Sequence, residues 1–431
     1  MKEQMAAIGV VGLWHLGCVV AASWLKLGCQ VVGIDFCAET ISQLEKQKPP
    51  IYEPELETIF QKGFADQRLV FSTDPAGLKD CGFVFLAYDT PVDDNDCYDL
   101  RPLEEALANI APHLQTNSVL IVSSQVPVGT CRQWQKKFNL PIVYSPENLR
   151  LGEAVANYLN PGHIVIGSDC PTSLSLVKNL FSSISATYLS MDLASAEMTK
   201  HAINAFLAVS ITFANQLSDA CSLAKADFYK VSHAMKQDPR IGAKAYLNAG
   251  IGFSGGTLGR DLQILNGMNK SKGGGTFSLF GDIWQYNKKK PLTIVYKIGR
   301  ILNSFKDKTI SILGMTYKPG TSTLRRSIPL GIAQDLARKG ATVKVYDPKA
   351  NWQEGTNLEG IVIFQNPYEV GSDSDFLLVL TPWPEFQELD FEYLGQFMHE
   401  KRIFDPYGFL MNHYESMQSF GFHVFNNIMI K

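Results

Sequence analysis

The stretch that decides the fold is AIGVVGLWHLG, residues 7–17. A short β-branched run ends here in a glycine turn, and the next residues, CVVAASWLKLG, have the pattern of a buried helix. A second apolar run, CQVVGIDF at residues 29–36, ends at Asp35, whose carboxylate could bind ribose hydroxyls. This order of strand, turn, helix and strand is typical of a dinucleotide-binding unit and favours NAD over NADP.

The glycine fingerprint of this turn is incomplete. Gly12 and Gly17 match the outer glycines of G-x-G-x-x-G, and the residues between them include Trp14, His15 and Leu16. Trp14 stands at the middle glycine position, which normally lets the backbone approach the pyrophosphate. An indole there could shift the cofactor or stack on it. The alternative is a tight turn in an ordinary α/β domain.

Short apolar runs alternate with amphipathic stretches over the first 190 residues and again over the last 125. This alternation predicts an α/β fold with two Rossmann-like, doubly wound domains. Between them the character of the sequence changes from Leu193 to about Asp238. Residues 195–226 read as one long helical pattern, too long for a crossover, which could separate the domains and form a dimer surface. The basic run at residues 288–290 is interpreted as a solvated helix end.

Composition excludes several classes of protein. The formal net charge is −3 over 431 residues, so nucleic acid is not expected as the main partner. None of the eight cysteines forms a CxxC pair, which predicts reduced thiols, a cytoplasmic location and no metal site. The sequence contains no apolar run typical of a membrane span.

The stretch GIGFSGGTLGRD, residues 250–261, holds five glycines in twelve residues. It could be a flexible linker, a phosphate cradle or the wall of an active site. Its apolar residues and the helical DLQIL that follows indicate that it packs. Two further candidates are Glu147, which follows a predicted strand, and the i,i+4 pair Lys200 and Asn204. Taken alone, these could be a helix-capping acid and a solvated polar face.

Together these motifs resemble the UDP-glucose/GDP-mannose dehydrogenase family along essentially the whole chain. The matching stretches are AIGVVGLWHLG, EPELETIF, TPVDD, SQVPVGT, SPENLRLGEAV, AEMTKHAINAF, DPRIGAKAYLNAGIGFSGGTLGRD, GMTYKPGTSTLRRS, VYDP and LTPWPEF. The resemblance implies an NAD-binding domain at residues 1–190, a central helical dimerisation domain at 191–302 and a nucleotide-sugar-binding domain at 303–431. It also implies a homodimer that oxidises the carbon-6 hydroxyl of a nucleotide sugar.

The resemblance also implies which residues form the catalytic, cofactor and substrate sites. It implies catalytic roles for Lys200, Asn204, Asp261 and Glu147, and it adds Thr90 and Gln125 to the cofactor site. It implies substrate contacts for Glu147, Leu149, Arg240, Tyr246, Phe253, Gly255, Lys318 and Arg325. Arg240 matches an arginine that reaches the substrate of the neighbouring subunit, and the glycine stretch resembles the active-site loop.

The chain departs from the family where covalent chemistry occurs. Thr257 stands at the position of the nucleophilic cysteine, and its hydroxyl is a far weaker nucleophile than a thiolate. Arg260 replaces a lysine, Gln125 a threonine and Thr323 an acid. Three hypotheses stay open: a dehydrogenase that yields aldehyde or uronate without a thioester, a catalytically impaired relative that binds NAD or sugar nucleotide, and a dehydrogenase of another activated sugar.

Overall fold

The computed structural model describes residues 7–147, 149, 151–271, 278–355 and 357–425. Asn148 and Arg150, within the SPENLRLGEAV stretch, lie outside the described residues. The chain divides into two compact units, Met1–Ile203 and Asn204–Lys431. In the part of the chain that the structure describes, no helix is both long and apolar enough to span a membrane.

The first unit is built on an eight-stranded sheet with the order β3-β2-β1-β4-β5-β6-β7-β8. All neighbouring strands are parallel except β6 and β7, which are antiparallel. The strands are β1 Ala7–Val11, β2 Val31–Ile34, β3 Leu69–Ser72, β4 Cys81–Leu86, β5 Val119–Val122, β6 Ile142–Tyr144, β7 His163–Gly167 and β8 Thr187–Met191. The helices are α1 His15–Lys26, α2 Ala38–Glu45, α3 Leu56–Ala65, α4 Arg101–Ile110, α5 Thr130–Phe138, α6 Ala154–Leu159, α7 Pro171–Phe181 and α8 Leu193–Leu223, which continues into the second unit.

The second unit joins helices to a six-stranded, fully parallel sheet with the order β11-β10-β9-β12-β13-β14. Its strands are β9 Thr309–Leu313, β10 Thr342–Tyr346, β11 Ile361–Ile363, β12 Phe376–Val379, β13 Arg402–Phe404 and β14 His423–Phe425. Its helices after α8 are α9 Phe228–Gln237, α10 Thr257–Ser271, α11 Leu279–Leu302, α12 Ile328–Arg338, α13 Phe391–Phe397 and α14 Tyr414–Ser419. The same order of six strands recurs in both sheets, which confirms the predicted pair of doubly wound folds.

The core of the first unit explains why α1 lies close to its sheet. Trp24 on α1 is fully buried, and its ring lies 5.8 Å from that of Phe85 on β4 and 5.7 Å from that of Phe181 on α7. Its indole N–H donates to the Tyr158 hydroxyl at 3.0 Å. This single polar atom is therefore satisfied inside an otherwise apolar layer.

One helical prediction is confirmed and another is wrong. The long helix predicted over residues 195–226 is α8, Leu193–Leu223, and a turn separates it from α9. The basic run at residues 288–290 lies inside α11, not at a helix end. Lys290 is buried and its ammonium group donates to Asp219 at 3.0 Å, while Lys297 donates to the other oxygen of the same carboxylate at 3.1 Å. Amphipathic periodicity could not show that a buried lysine on this helix pairs with a half-buried acid.

We expect Gly17→Ala to destabilise the first unit, because a β-carbon at residue 17 would lie 1.7 Å from the Gly12 carbonyl oxygen. Such overpacking should lower the free energy of unfolding by about 1–3 kcal/mol. Urea unfolding measures the change. The matched control is Gly267→Ala on α10, where no heavy atom of the described residues beyond the local helix backbone lies within 4 Å of the added carbon, and it should be neutral or stabilising. Equal unfolding midpoints for the two variants would contradict the close approach of α1 to β1.

Candidate active site

The turn between β1 and α1 has the geometry that a dinucleotide requires. Gly12 adopts a φ of +91°, and the packing of Gly17 on its carbonyl group brings the helix against the strand. Helix α1 begins at His15, its first turn contains no acidic residue, and Trp14 at the N-cap makes no side-chain capping bond. The first amide groups of this helix therefore face an anion site such as a pyrophosphate. The Trp14 side chain is 40% exposed.

Asp35, which follows β2, ties this turn to the second strand. One carboxylate oxygen accepts from the Leu13 amide at 2.8 Å, and the other accepts from the Cys37 amide at 2.9 Å. Each oxygen keeps acceptor capacity for ribose hydroxyls, and the negative charge disfavours a 2′-phosphate. The residues present therefore fit NAD, with the start of α1 at the pyrophosphate and Asp35 at the ribose.

The corresponding acid of the second sheet, Asp347, has a different environment. It is buried and one of its oxygens accepts from the Met315 and Thr316 amides and from the Trp383 indole at 2.7, 2.9 and 3.1 Å. Its other oxygen accepts from the amides of Lys349 and Ala350. A carboxylate used in this way holds its own loops together. The two sheets have the same strand order, but Asp35 keeps acceptor capacity for a ligand, whereas Asp347 bonds to the loops of its own domain.

Three residues in the first turns of α8 bind the loops that follow β5 and β6. The fully buried carboxylate of Glu197 accepts from the amides of Gly129 and Cys131 at 2.5 and 2.8 Å, where α5 begins. His201, also buried, hydrogen-bonds the Val126 carbonyl oxygen at 2.9 Å. Lys200 donates to the Glu147 carbonyl oxygen at 2.6 Å. These contacts determine which face of α8 meets the sheet.

Among the predicted site residues of the first unit, Glu147 has the carboxyl group whose pKa is shifted furthest from its ordinary value. Burial raises the pKa of its carboxyl group from 4.5 to about 8, although the nearby Lys200 ammonium acts in the opposite direction. A carboxyl group with such a pKa can exchange a proton near neutral pH, which suits a general base. Leu149 lies two residues further on and is half-buried.

Thr90 and Gln125 meet at the carboxyl ends of β4 and β5. The Thr90 hydroxyl donates to the Gln125 carbonyl oxygen at 2.6 Å, and both residues are buried. These strand ends lie on the same sheet edge as the turn at Gly12, since β1 and β4 are parallel neighbours. This edge is where doubly wound sheets bind ligands.

The glycine stretch of residues 250–255 is held along its length, so it is not a flexible linker. The Asn215 side chain accepts from the Gly250 amide at 2.7 Å. Asn287 forms two bonds with Phe253, accepting from its amide at 2.8 Å and donating to its carbonyl oxygen at 2.9 Å. Gly252 and Gly255 have φ values of +113° and +82°, which side chains rarely adopt. The loop therefore presents a fixed backbone surface.

Asp261 and Asn204 form a buried pair in the second unit. The Asn204 amide donates to the Asp261 carboxylate at 2.5 Å, and Asp261 is fully buried. Asp261 lies on α10, whose first residue is the exposed Thr257, while Arg260 beside it is buried. The threonine hydroxyl thus lies at a helix start, while the carboxylate lies in a protected, oriented position.

The remaining predicted substrate residues lie on loops of the second unit. Lys318 is half-buried and Arg325 is exposed. Thr323, which replaces the family acid, donates its hydroxyl to Glu354 at 2.6 Å, so a carboxylate lies next to this position after all. Tyr246 is exposed, and the guanidinium of Arg240 is solvent-exposed and binds both oxygens of Asp238.

Sequence reasoning missed several residues that support the site. Glu53 is buried and accepts from the amides of Gly152 and Ala154 at 3.0 and 2.6 Å and hydrogen-bonds His15 at 3.0 Å. Glu53 therefore joins the cofactor turn to the chain after Glu147. The residue belongs to the EPELETIF stretch that resembles the family, but the resemblance implied no role for it. Asn215 and Asn287, which hold the glycine stretch, could not be predicted from the residues around them in the sequence. A single amide side chain on a helix is ordinarily exposed to solvent.

Two doubly wound sheets with an NAD-type turn on the first define a nucleotide-dependent dehydrogenase. Sequence models of the UDP-glucose/GDP-mannose dehydrogenase family match three parts of the chain: its NAD binding domain at residues 6–185, its central domain at 194–289 and its UDP binding domain at 311–412. The chain belongs to this family, and it is an NAD-dependent nucleotide-sugar dehydrogenase by class.

Individual relatives cover nearly the whole chain. The UDP-glucose 6-dehydrogenase TuaD of Bacillus subtilis is 33% identical over 97% of this chain and 92% of its own length. A UDP-glucose 6-dehydrogenase of Rickettsia bellii is 31% identical over 97% of this chain and 98% of its own length. The structure of a UDP-glucose dehydrogenase from Pyrobaculum islandicum superposes with a TM-score of 0.84 at 27% identity, covering 91% of this chain and 93% of that one.

We expect Glu147→Gln to stabilise the protein at high pH. Since burial raises the pKa of Glu147 from 4.5 to about 8, the folded state holds more protons than the unfolded state between these values, and the free energy of unfolding falls as pH rises through them. The neutral glutamine removes this loss. Thermal unfolding at a series of pH values should show the two proteins alike near pH 4.5 and the variant more stable above pH 8. A difference that does not change with pH would contradict the buried carboxyl group.

Proposed function

We propose that this protein oxidises the carbon-6 hydroxyl of a UDP-glucose-like nucleotide sugar, and that it reaches the uronate through a hydrated aldehyde and not through a thioester. The observation that carries the proposal is the buried Asn204–Asp261 pair, which holds a carboxylate without exposing it to bulk water. Such an acceptor can order the water that takes the hydroxyl proton. NAD, when bound, accepts the hydride.

Lys200 and Glu147 supply the remaining chemistry in this proposal. The Lys200 ammonium group, oriented by the Glu147 carbonyl oxygen, stabilises negative charge on the oxygen of carbon 6. The aldehyde adds water, and the Glu147 carboxylate removes a hydroxyl proton from the hydrate as the second hydride leaves. A carboxyl group whose pKa burial raises to about 8 is a better base than an ordinary glutamate.

Thr257 is not a nucleophile in this proposal. Its hydroxyl has no histidine or lysine partner in the hydrogen bonds of the described residues, and an alcohol is not ionised at neutral pH. The residue lies at the first position of α10, where a hydroxyl can donate to a sugar oxygen. The glycine stretch beside it, with Phe253 and Gly255, surrounds the sugar, and Leu149, Tyr246, Lys318 and Arg325 contact the nucleotide sugar.

The cofactor and domain assignments complete the proposal. Gly12, Trp14, His15, Leu16 and Gly17 hold the pyrophosphate of NAD, with Asp35 on the ribose and Thr90 and Gln125 nearer the nicotinamide. The domains are those predicted above, at residues 1–190, 191–302 and 303–431. All eight cysteines are free thiols in the structure, which supports the proposal of a reducing cytoplasmic location.

The NADH yield tests the reaction. With a panel of UDP-, GDP- and other nucleotide hexoses, we expect two NADH for each sugar consumed, and Thr257→Ala should retain the rate within about twofold because no thioester forms. One NADH for each sugar would mean that the reaction stops at the aldehyde. No NADH across the panel would favour a relative that binds its ligands without turnover. A large loss in Thr257→Ala would mean that the hydroxyl takes part in the chemistry.

We further propose that the protein is a homodimer in which Arg240 reaches the substrate of the partner subunit. Its side chain is 87% exposed, and the hydrogen bonds of its guanidinium among the described residues are to the neighbouring Asp238. Helix α8 also exposes large apolar side chains, with Phe206 at 69% and Leu223 at 77%. Exposed apolar surface of this kind is typical of a subunit interface.

Mixing two inactive variants tests this arrangement. Arg240→Ala and Asp261→Asn should each lose activity, but a mixed dimer has one site with both native residues. After subunit exchange, equal amounts should restore about a quarter of the native activity, since half the dimers are mixed and each has one intact site of two. A mixture no more active than its components would show that Arg240 serves its own subunit.

A further inference from the structure

A cavity of about 270 Å³ adjoins Glu147 in the first unit. It is lined by apolar side chains and by a small number of polar ones, namely Glu147, Asn157, Tyr158, Asn160 and His163. Among the described residues predicted to bind cofactor or substrate, Glu147 and Leu149 are the ones that reach it. The cavity therefore adjoins Glu147, the proposed base, but it does not include the residues of the turn that fits NAD.

The cavity has the properties of a water-filled space. A water molecule occupies ~30 Å³ in the liquid, so several fit. The side-chain nitrogen of Asn157 is buried and lacks a hydrogen-bond partner among the described residues. A buried donor of this kind is normally satisfied by an ordered water. The amide thus indicates an ordered water at the cavity wall beside Asn157.

The cavity also reaches the surface. Asn160 and Gly162 on its rim are exposed, and His163, where β7 begins, is half-buried. Because β6 and β7 are antiparallel, with Tyr144 opposite Gly167, His163 extends past the end of β6 toward the chain that carries Glu147. The His163 imidazole, whose ring nitrogen can accept a proton, therefore lies between the cavity and the solvent.

We propose that the cavity is the route by which Glu147 returns its proton to solvent, with Asn157 holding the first water and His163 acting as the outer proton acceptor. The inference rests on the proposed role of Glu147 as a base. In each second oxidation the bonding pair of the carbon 6–hydrogen bond leaves with that hydrogen as hydride to NAD, and one hydroxyl proton of the hydrate passes to the Glu147 carboxylate. The uronic acid that forms loses its own proton to water. The proton on Glu147 then passes to a cavity water, to the His163 imidazole and to bulk water, which regenerates the carboxylate.

The groups that face Glu147 are consistent with this direction of transfer. The Lys200 ammonium group on α8 is a cation that opposes protonation of the Glu147 carboxylate. It donates to the carbonyl oxygen of Glu147, and Lys200 is not among the residues that line the cavity. The Tyr158 hydroxyl on α6 is already the acceptor of the Trp24 indole, and its pKa is raised well above 10 by burial and then by Glu147. Tyr158 therefore keeps its proton, and among the described lining residues His163 carries an imidazole whose ring nitrogen can accept one.

The experiment compares proton release with hydride transfer in single turnovers. The 6-aldehyde of the sugar nucleotide is mixed rapidly with protein and NAD in weak buffer at about pH 9, where Glu147 begins ionised, and NADH absorbance is recorded beside a pH-indicator dye. In the native protein we expect proton release to follow NADH formation without delay. Two protons are released for each NADH, one from the product acid and one through Glu147. His163→Gln and Asn157→Leu should each slow release of the second of these by about tenfold or more, with the rate of NADH formation in the same turnover unchanged.

Rescue and a matched control separate a relay from a structural effect. Added imidazole should restore prompt proton release in His163→Gln, which a merely structural role would not explain. The control is His113→Gln, a substitution at another half-buried histidine of the first unit outside the cavity, and it should behave as the native protein. Prompt proton release in both cavity variants would overturn the proposal. Absence of NADH from the aldehyde in the native protein would instead remove the proposed role of Glu147, and the route with it.

Discussion

The buried carboxylate of Glu197 is the constraint on which the site of the first unit depends. It is fully buried and satisfied by two amides at the start of α5, so it sets the depth and rotation of α8 against the sheet. Burial raises the pKa of this carboxyl group, while the Gly129 and Cys131 amides oppose the shift. One turn further along, the same helix face directs Lys200 to the chain after β6.

The same helix continues into the second unit, where it provides Asn204 and Asn215. Asn204 orients Asp261, and Asn215 holds the beginning of the glycine stretch. Amide side chains suit this work because they donate and accept without charge, and so they can fix a carboxylate or a backbone group inside the protein at low desolvation cost. Two neutral side chains of α8 thus support residues that carry the proposed chemistry of the second unit.

The two sheets show how one strand order supports different sites. In the first sheet the acid after β2 binds two amides and keeps capacity for a ligand, whereas in the second sheet Asp347 is surrounded by donors from its own loops. The difference lies in the donors that tertiary packing brings to each carboxylate, not in the strands. Function here follows from the loops at the carboxyl edge, and the fold alone does not specify it.

The sequence by itself determined the fold class, the cofactor turn and the positions of the candidate residues. Strand and helix periodicities are local, and glycines at fixed spacing after a strand report a local backbone requirement. The motif order over the whole chain indicated the family. Local periodicity also predicted the long helix over residues 195–226, close to the observed bounds Leu193–Leu223.

Only the tertiary structure decided how these residues are supported and charged. The bond between Glu53 and His15, the clamp of Asn287 on Phe253 and the pairing of Lys290 with Asp219 each join positions more than 30 residues apart. No sequence window contains both partners of such a contact. The raised pKa of Glu147 likewise arises from burial, which depends on every element packed around the carboxyl group and not on the residues beside it in the chain.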